Sequence, residues 1–150
     1  RMRHAASVLP AFLPASYTKA VGVLKEVVPQ MATGYTNLLF PEYVAMHGLH
    51  KFDESLEALH YFTRFGSSEF AIRVFLKNDL QRTLPKMYQW AEDNNEHVRR
   101  LSSEGTRPRL PWSFKLEAFI KQPALAAPIL TSLKADESLY VRKSVANHLN

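Results

Sequence analysis

Nine consecutive residues, Glu104-Gly105-Thr106-Arg107-Pro108-Arg109-Leu110-Pro111-Trp112, bring together a carboxylate, two guanidiniums and an indole. Guanidiniums match the geometry of phosphate oxygens, so Arg107 and Arg109 suit contact with an anion. Pro108 and Pro111 hold the residues before them extended, and Gly105 can end a preceding helix. A second account fits the same residue types: a stiff interhelix loop with its arginines bonded to helix ends and Trp112 in the core. Glu104 also has a simple partner, because Arg100 stands four residues earlier on the same helical face. Glu69 and Arg73 repeat that spacing. Both carboxylates follow a Ser-Ser pair, Ser67-Ser68 and Ser102-Ser103. Residue types alone do not choose between these accounts.

Other chemistries are absent from the sequence. There are no cysteines, so disulfides, thiol nucleophiles and thiolate metal sites are excluded. Of the six histidines, His47 and His50 are close enough to share a metal, but no His-Glu-x-x-His pattern supports one. No glycine-rich phosphate loop and no nucleophile-elbow serine occurs. No metal or cofactor is expected. The 19 Lys and Arg against 14 Asp and Glu give a net charge of +5. Residues 1–75 hold seven basic and six acidic groups, residues 76–150 twelve and eight. The excess sits in the second half, which permits an anionic partner without requiring one. Apolar residues at 46% over 150 positions are those of one folded domain. No run approaches the ~18 apolar residues of a membrane span.

The elements that must carry these side chains read as helices. Ser16 is a candidate cap for a helix bearing Val21, Leu24, Val27 and Val28, stopped by Pro29. A second helix runs from Asn37 to Met46 and ends at Gly48. Asp53 is a plausible cap for a third, with Leu56, Leu59, His60 and Phe62 before Gly66. Ser67 or Ser68 opens a fourth through Phe70, Ile72, Val74, Phe75 and Leu76. Asp79 caps a fifth with Leu80, Leu84, Met87, Tyr88 and Ala91. Pro111 suits the first turn of a helix through Trp112, Leu116, Phe119 and Ile120. β-Branched residues are scattered at helical spacing, and no hairpin turn signal appears. The class is all-α.

The second half repeats itself. Pro85, Asp93, Val98, Arg99 and Arg100 align with Pro128, Asp136, Val141, Arg142 and Lys143, 43 residues on. A helix, a turn at an aspartate and a second helix opening on Val-Arg is the pattern of a HEAT-like helical pair, with a period of ~40–47 residues. One such pair buries only one side, so pairs must stack, and a short curved α-solenoid is expected. The excess length of the unit falls in Gly105 to Trp112. Residues 1–50 form an N-terminal helical part without a clean repeat, and 51–150 hold the clearest repeats. The chain opens Arg1-Met2-Arg3 without a secretory pattern and stops at Asn150 within a helix, as expected of a segment of a longer protein.

Three stretches, Phe62 to Arg73, Glu96 to Trp112 and Tyr140 to Asn150, resemble the AlkC-type DNA alkylation repair glycosylases of the HEAT-like-repeat superfamily, related to the AlkD type. The resemblance runs from about Pro41 to the end, and its most specific part is the Glu104 to Trp112 run. It implies an enzyme that hydrolyses the N-glycosidic bond of cationic N3-methylated purines, chiefly 3-methyladenine, in duplex DNA. It further implies a concave basic surface that bends the duplex, without the deep pocket of base-flipping glycosylases. Glu69 and Glu104 match the family's catalytic acids, and Trp112 its active-site aromatic. A family aspartate normally follows Val145-Ala146-Asn147-His148-Leu149-Asn150, and an immunoglobulin-like domain follows the helical part in some members. Arg107, Arg109, Arg142 and Lys143 would hold phosphates, although Arg99 and Arg142 equally suit structural roles early in their helices. The implied partner is duplex DNA with alkylated bases, with no membrane, no cofactor and no obligate protein partner. The implied location is cytoplasmic, nucleoid-associated in a prokaryote. A non-catalytic helical-repeat module binding DNA or protein is the alternative.

Overall fold

The computed structural model describes residues 2–32 and 34–150, and every regular element among them is helical. The chain divides into two compact units, one ending at Ile72 and the other starting at Arg73. The first holds α1 (Met2–Val8), α2 (Tyr17–Val27), α3 (Leu39–His47) and α4 (Phe52–Phe62). Its α3 packs on α1, α2 and α4, and the Phe40 and Phe62 rings meet at 5.6 Å between centroids. α2 begins where Ser16 is extended and stops before Pro29, whose missing N–H ends the ladder. Val21, Leu24 and Val28 are buried there, while Val27 faces outward.

α5 (Glu69–Asn78) crosses the division between the units and carries Glu69 as its first residue. The turn before it is held by a close approach. A Cβ on Gly66 would lie 2.8 Å from Cβ of Asn37 and 3.1 Å from its carbonyl carbon, too close for any other residue. The Asn37 amide also donates to the Phe65 carbonyl at 3.1 Å. Ser68, fully buried, donates to the Leu59 carbonyl at 2.9 Å and ties the start of α5 to the end of α4.

The second unit contains α6 (Leu80–Trp90), α7 (Glu96–Gly105), α8 (Glu117–Lys121), α9 (Ala127–Leu133) and α10 (Leu139–Leu149). α7 lies at its centre, packed on α6, α9 and α10. Val98, Leu101, Met87, Phe119, Ile129, Leu133, Val141 and Val145 supply the core. The Asp79 carboxylate caps α6 by accepting from the Arg82 N–H at 3.1 Å, as its position predicts.

The 43-residue register reappears as one hydrogen-bond set built twice. Asp93 accepts from the Asn95 N–H, and Asp136 from the Ser138 N–H, each at 2.8 Å. Arg99 Nη1 donates to the carbonyls of Asp93 and Asn94 at 2.9 and 3.0 Å. Arg142 Nη1 donates to those of Asp136 and Glu137 at 2.5 and 2.9 Å. Each arginine thus ties down the turn before its own helix. Arg99 also reaches across to the next turn, donating from Nε and Nη2 to the two Asp136 oxygens at 2.7 and 3.0 Å. Side-chain exposures of 10% and 6% make this a buried bidentate pair. The Arg99 hydrogen bond holds the Asp136 carboxyl below the ordinary carboxylate range, against the opposing effect of burial.

Three local expectations are corrected. Lys51, rather than Asp53, is the N-cap of α4, and Asp53 sits in its first turn, where a carboxylate still favours the helix dipole. The aligned prolines differ in place: Pro85 lies inside α6, whereas Pro128 stands at the start of α9 after the 3₁₀ turn Pro123–Ala126. The helix expected at Pro111 begins only at Glu117. The reason is a turn at 110–113, closed by the Ser113 N–H on the Leu110 carbonyl at 3.1 Å.

The buried pair gives a stability prediction. Arg99→Met strands the Asp136 carboxylate and is expected to cost about 3–5 kcal/mol. Asp136 with its depressed pKa stabilises the fold above the ordinary carboxylate pKa, and that contribution disappears as pH falls through the folded value. The variant should therefore also lose part of the acid dependence of its unfolding. Urea titrations at pH 7 and at steps from pH 4 down to about pH 2 measure both, and a loss under 1 kcal/mol at pH 7 would show the bridge to be dispensable.

Candidate active site

The end of α7 is unusual for a helix C-terminus. Ser102, Ser103, Glu104, Gly105 and Thr106 are all buried, and the Thr106 hydroxyl closes the end by donating to the Ser102 carbonyl at 2.7 Å. Glu104 is 3% exposed, at the helix end whose dipole disfavours negative charge. Two guanidiniums compensate it. Arg107 Nη1 donates to Oε2 at 3.0 Å, and Arg100 Nη2 lies 3.7 Å from Oε1. Arg100 is itself set by the Tyr140 ring, 4.7 Å from its Cζ. The ion pair that the spacing to Arg100 predicts is present, and Arg107 adds a shorter one.

Past α7 the chain forms a small closed loop. The Leu116 N–H donates to the Pro108 carbonyl at 3.0 Å, and Leu110 and Leu116 are buried as its anchors. Trp112 caps the loop with φ of 64° and 95% exposure. It occupies the third position of the 110–113 turn, where a positive φ ordinarily selects glycine. A left-handed conformation costs a bulky residue of order 1–3 kcal/mol, and full exposure returns no packing energy. The core account of Trp112 is excluded. A strained, exposed indole that stabilises nothing around it has the character of a contact residue.

The four cations assigned to phosphate divide into two kinds. Arg109 and Lys143 are exposed and make no ion pair or hydrogen bond among the described residues. Arg107 is partly buried on Glu104, and Arg142 is engaged with the turn before α10. Glu69 lies in the first unit, half-buried. The Ser67 hydroxyl donates to its Oε2 at 2.9 Å and accepts from its N–H at 3.3 Å, a reciprocal clasp that fixes the carboxylate at the helix start.

Two residues of this region carry no functional mark in the sequence. His148 Nδ1 lies 3.0 Å from the Ser103 carbonyl, the residue before Glu104. A carbonyl only accepts, so this bond requires the proton on Nδ1 and leaves the Nε2 lone pair available. Burial pushes the His148 pKa below the ordinary imidazole value, and the charges of Arg107 and Arg73 add to it. The Ser103 hydrogen bond and Glu104 oppose the shift. His148 is therefore neutral at pH 7. Arg73 is fully buried and donates to the loop. For His148 the one available signal was its place in the Val-Ala-Asn-His-Leu-Asn stretch. For Arg73 there was none beyond its spacing to Glu69.

A curated relative, an uncharacterized protein named YhaZ from Bacillus subtilis, is 47% identical over all 150 residues and is spanned over 42% of its length. A solved structure of the Pseudomonas fluorescens alkylpurine DNA glycosylase AlkC, bound to DNA containing an abasic site analog, matches 99% of the chain with a TM-score of 0.95. It is 53% identical, and the chain spans 42% of its length. No protein-family model matches.

The histidine yields a pH prediction. A depressed folded pKa means that the unfolded chain binds the proton first, so His148 costs stability as pH falls from about 6.5 toward the folded value. Denaturation midpoints between pH 7.5 and 5 should fall more steeply in the protein than in His148→Gln, whose amide can still donate to Ser103. Parallel slopes would exclude the assignment.

Proposed function

We propose, from the likeness of this chain in sequence and fold to a part of the AlkC glycosylase, that the protein is a monofunctional DNA glycosylase acting on cationic alkylpurines such as 3-methyladenine in duplex DNA. The observation that carries this reading is a buried carboxylate, Glu104 at the end of α7, followed eight residues on in the chain by a strained, exposed indole, Trp112. Alkylation gives the base a positive charge and makes it a good leaving group. Cleavage sends the C1′–N bond pair to the base, which departs neutral, and the positive charge passes to the deoxyribose. A fixed carboxylate and an aromatic face stabilise that charge as it develops. Water then bonds to C1′ and gives up its proton to a carboxylate or to solvent. The reaction requires no Schiff-base lysine, so its product is an abasic site in an intact strand.

Glu104 is the candidate for the main electrostatic role, with Glu69 as the second acid and Trp112 as the aromatic face. Arg107 and Arg100 orient the Glu104 carboxylate and balance its charge. Phosphate contact falls to Arg109 and Lys143, whose charge is not used internally. The reaction belongs in the compartment that holds chromosomal DNA, the cytoplasm of a prokaryote.

Single-turnover release of 3-methyladenine from saturating duplex by the full-length protein tests the assignment. Glu104→Gln should keep most DNA affinity and slow release by roughly two to three orders of magnitude, about 3–4 kcal/mol of transition-state stabilisation. Glu69→Gln should also slow release. Equal rates in two folded proteins would end the claim for Glu104. A parent that binds DNA yet releases no base would favour a non-catalytic module.

The division of the cations gives a second expectation. Removing the charges of Arg109 and Lys143 should weaken DNA binding across sequences and reduce the salt slope by roughly one unit per lost contact. Arg107→Gln should instead act mainly on the release rate. An unchanged slope in the Arg109/Lys143 double variant would assign both residues to the solvated surface.

A further inference from the structure

We propose that Arg73 is a positioning residue whose guanidinium holds the Trp112 turn in its strained, reaction-ready form. The proposal rests on the glycosylase reading for its consequence and on geometry for its substance.

Arg73 is fully buried, and its donors meet both limbs of the loop. Nη1 donates to the carbonyls of Arg107 and Gly105 at 2.5 and 3.3 Å, on the limb entering the turn. Nη2 donates to the Phe114 carbonyl at 2.5 Å and Nε to the Ser113 hydroxyl at 3.1 Å, on the limb leaving it. Arg73 therefore fixes the backbone on either side of Trp112 while never approaching the indole through these bonds. The Phe114 ring completes the grip, 5.6 Å from Arg73 Cζ and 5.2 Å from Nζ of Lys77, one turn further along α5.

The spacing of Arg73 to Glu69 does not explain these loop contacts. A buried guanidinium is expensive to desolvate, and a loop needing only carbonyl satisfaction could lie open to water. Only a planar fork reaches acceptors on both limbs at once. An ammonium offers three donors from one point and cannot span them. A left-handed tryptophan persists only where its surroundings over-determine the backbone, and Arg73 supplies that determination. It acts on Glu104 by the same route, because the carbonyl it holds belongs to Arg107, the closer of the carboxylate's two partners.

The test uses full-length protein and two readouts. Arg73→Lys should raise amide exchange at least tenfold in the 108–116 segment, which contains the Ser113 and Leu116 N–H groups that close the loop. The Val98 to Leu101 segment of α7 should stay within threefold, which separates local release from general destabilisation. In the same variant, single-turnover base release should fall at least tenfold at saturating DNA, with the half-saturating concentration within threefold. Unchanged exchange and an unchanged rate in folded Arg73→Lys would overturn the proposal, as would equal acceleration in both segments. If Arg73→Lys fails to fold, Ser113→Ala removes one acceptor and leaves the guanidinium intact. A smaller rise confined to 108–116 is then expected, and none would overturn the proposal. Should the parent release no base, the glycosylase reading fails while the exchange data still decide the role of Arg73.

Discussion

The second unit depends on one bidentate ion pair, Arg99 to Asp136, through which one helical turn fixes the position of the next. Arg99 faces two ways. Its Nη1 ties off the carbonyls that open its own helix, and its other nitrogens reach the aspartate whose carboxylate caps the following turn. Ser138 adds a hydroxyl bond to Glu96 across the same gap. Two stacked hydrophobic faces could slide past each other with little change in buried area. A bidentate pair with fixed fork geometry admits a single register. That register sets where the far end of α7 lies, and with it Glu104.

Much of this was legible because the repeat is written in the residues that make the bonds. Asp93 and Asp136 accept from the turn, Val98 and Val141 fill the core, and Arg99 and Arg142 close the carbonyls, so equal spacing meant equal structure. The loop after α7 was legible in composition but not in conformation. A proline before a tryptophan suits the first turn of a helix, yet Trp112 takes a positive φ that no local propensity favours. Its cause lies in Arg73, whose acceptors in the loop stand 32 to 41 residues further along the chain, and nothing in the spacing of Arg73 announces donors aimed at a distant loop. His148 escaped for a related reason: a lone histidine on a helix is ordinarily bland, and only the fold brings it to the carbonyl beside Glu104.

The formal charge of +5 conceals a sharp division of labour. Arg73, Arg99, Arg100, Arg107 and Arg142 point their donors at this protein's own carbonyls, carboxylates and rings. Arg109 and Lys143 do not. Guanidinium geometry suits both tasks, which is why residue type could not sort them. Burial and partner separate only those engaged inside the protein from those exposed. Arg107, whose Nη1 is committed to Glu104, is placed to tune that carboxylate.

The extra residues of the 43-residue unit lie between α7 and α8, outside the turns that carry the Arg99 bridge. Two kinds of mutation therefore fall on separate ground. Changes at Asp93, Arg99 or Asp136 disturb how the helices stack, whatever the loop contains. Changes at Arg109, Pro111 or Trp112 alter the presented surface and leave the stacking bonds untouched. A lineage could rework the loop without first securing a more robust scaffold. Arg73 is where the two territories meet, since it belongs to a helix and grips the loop.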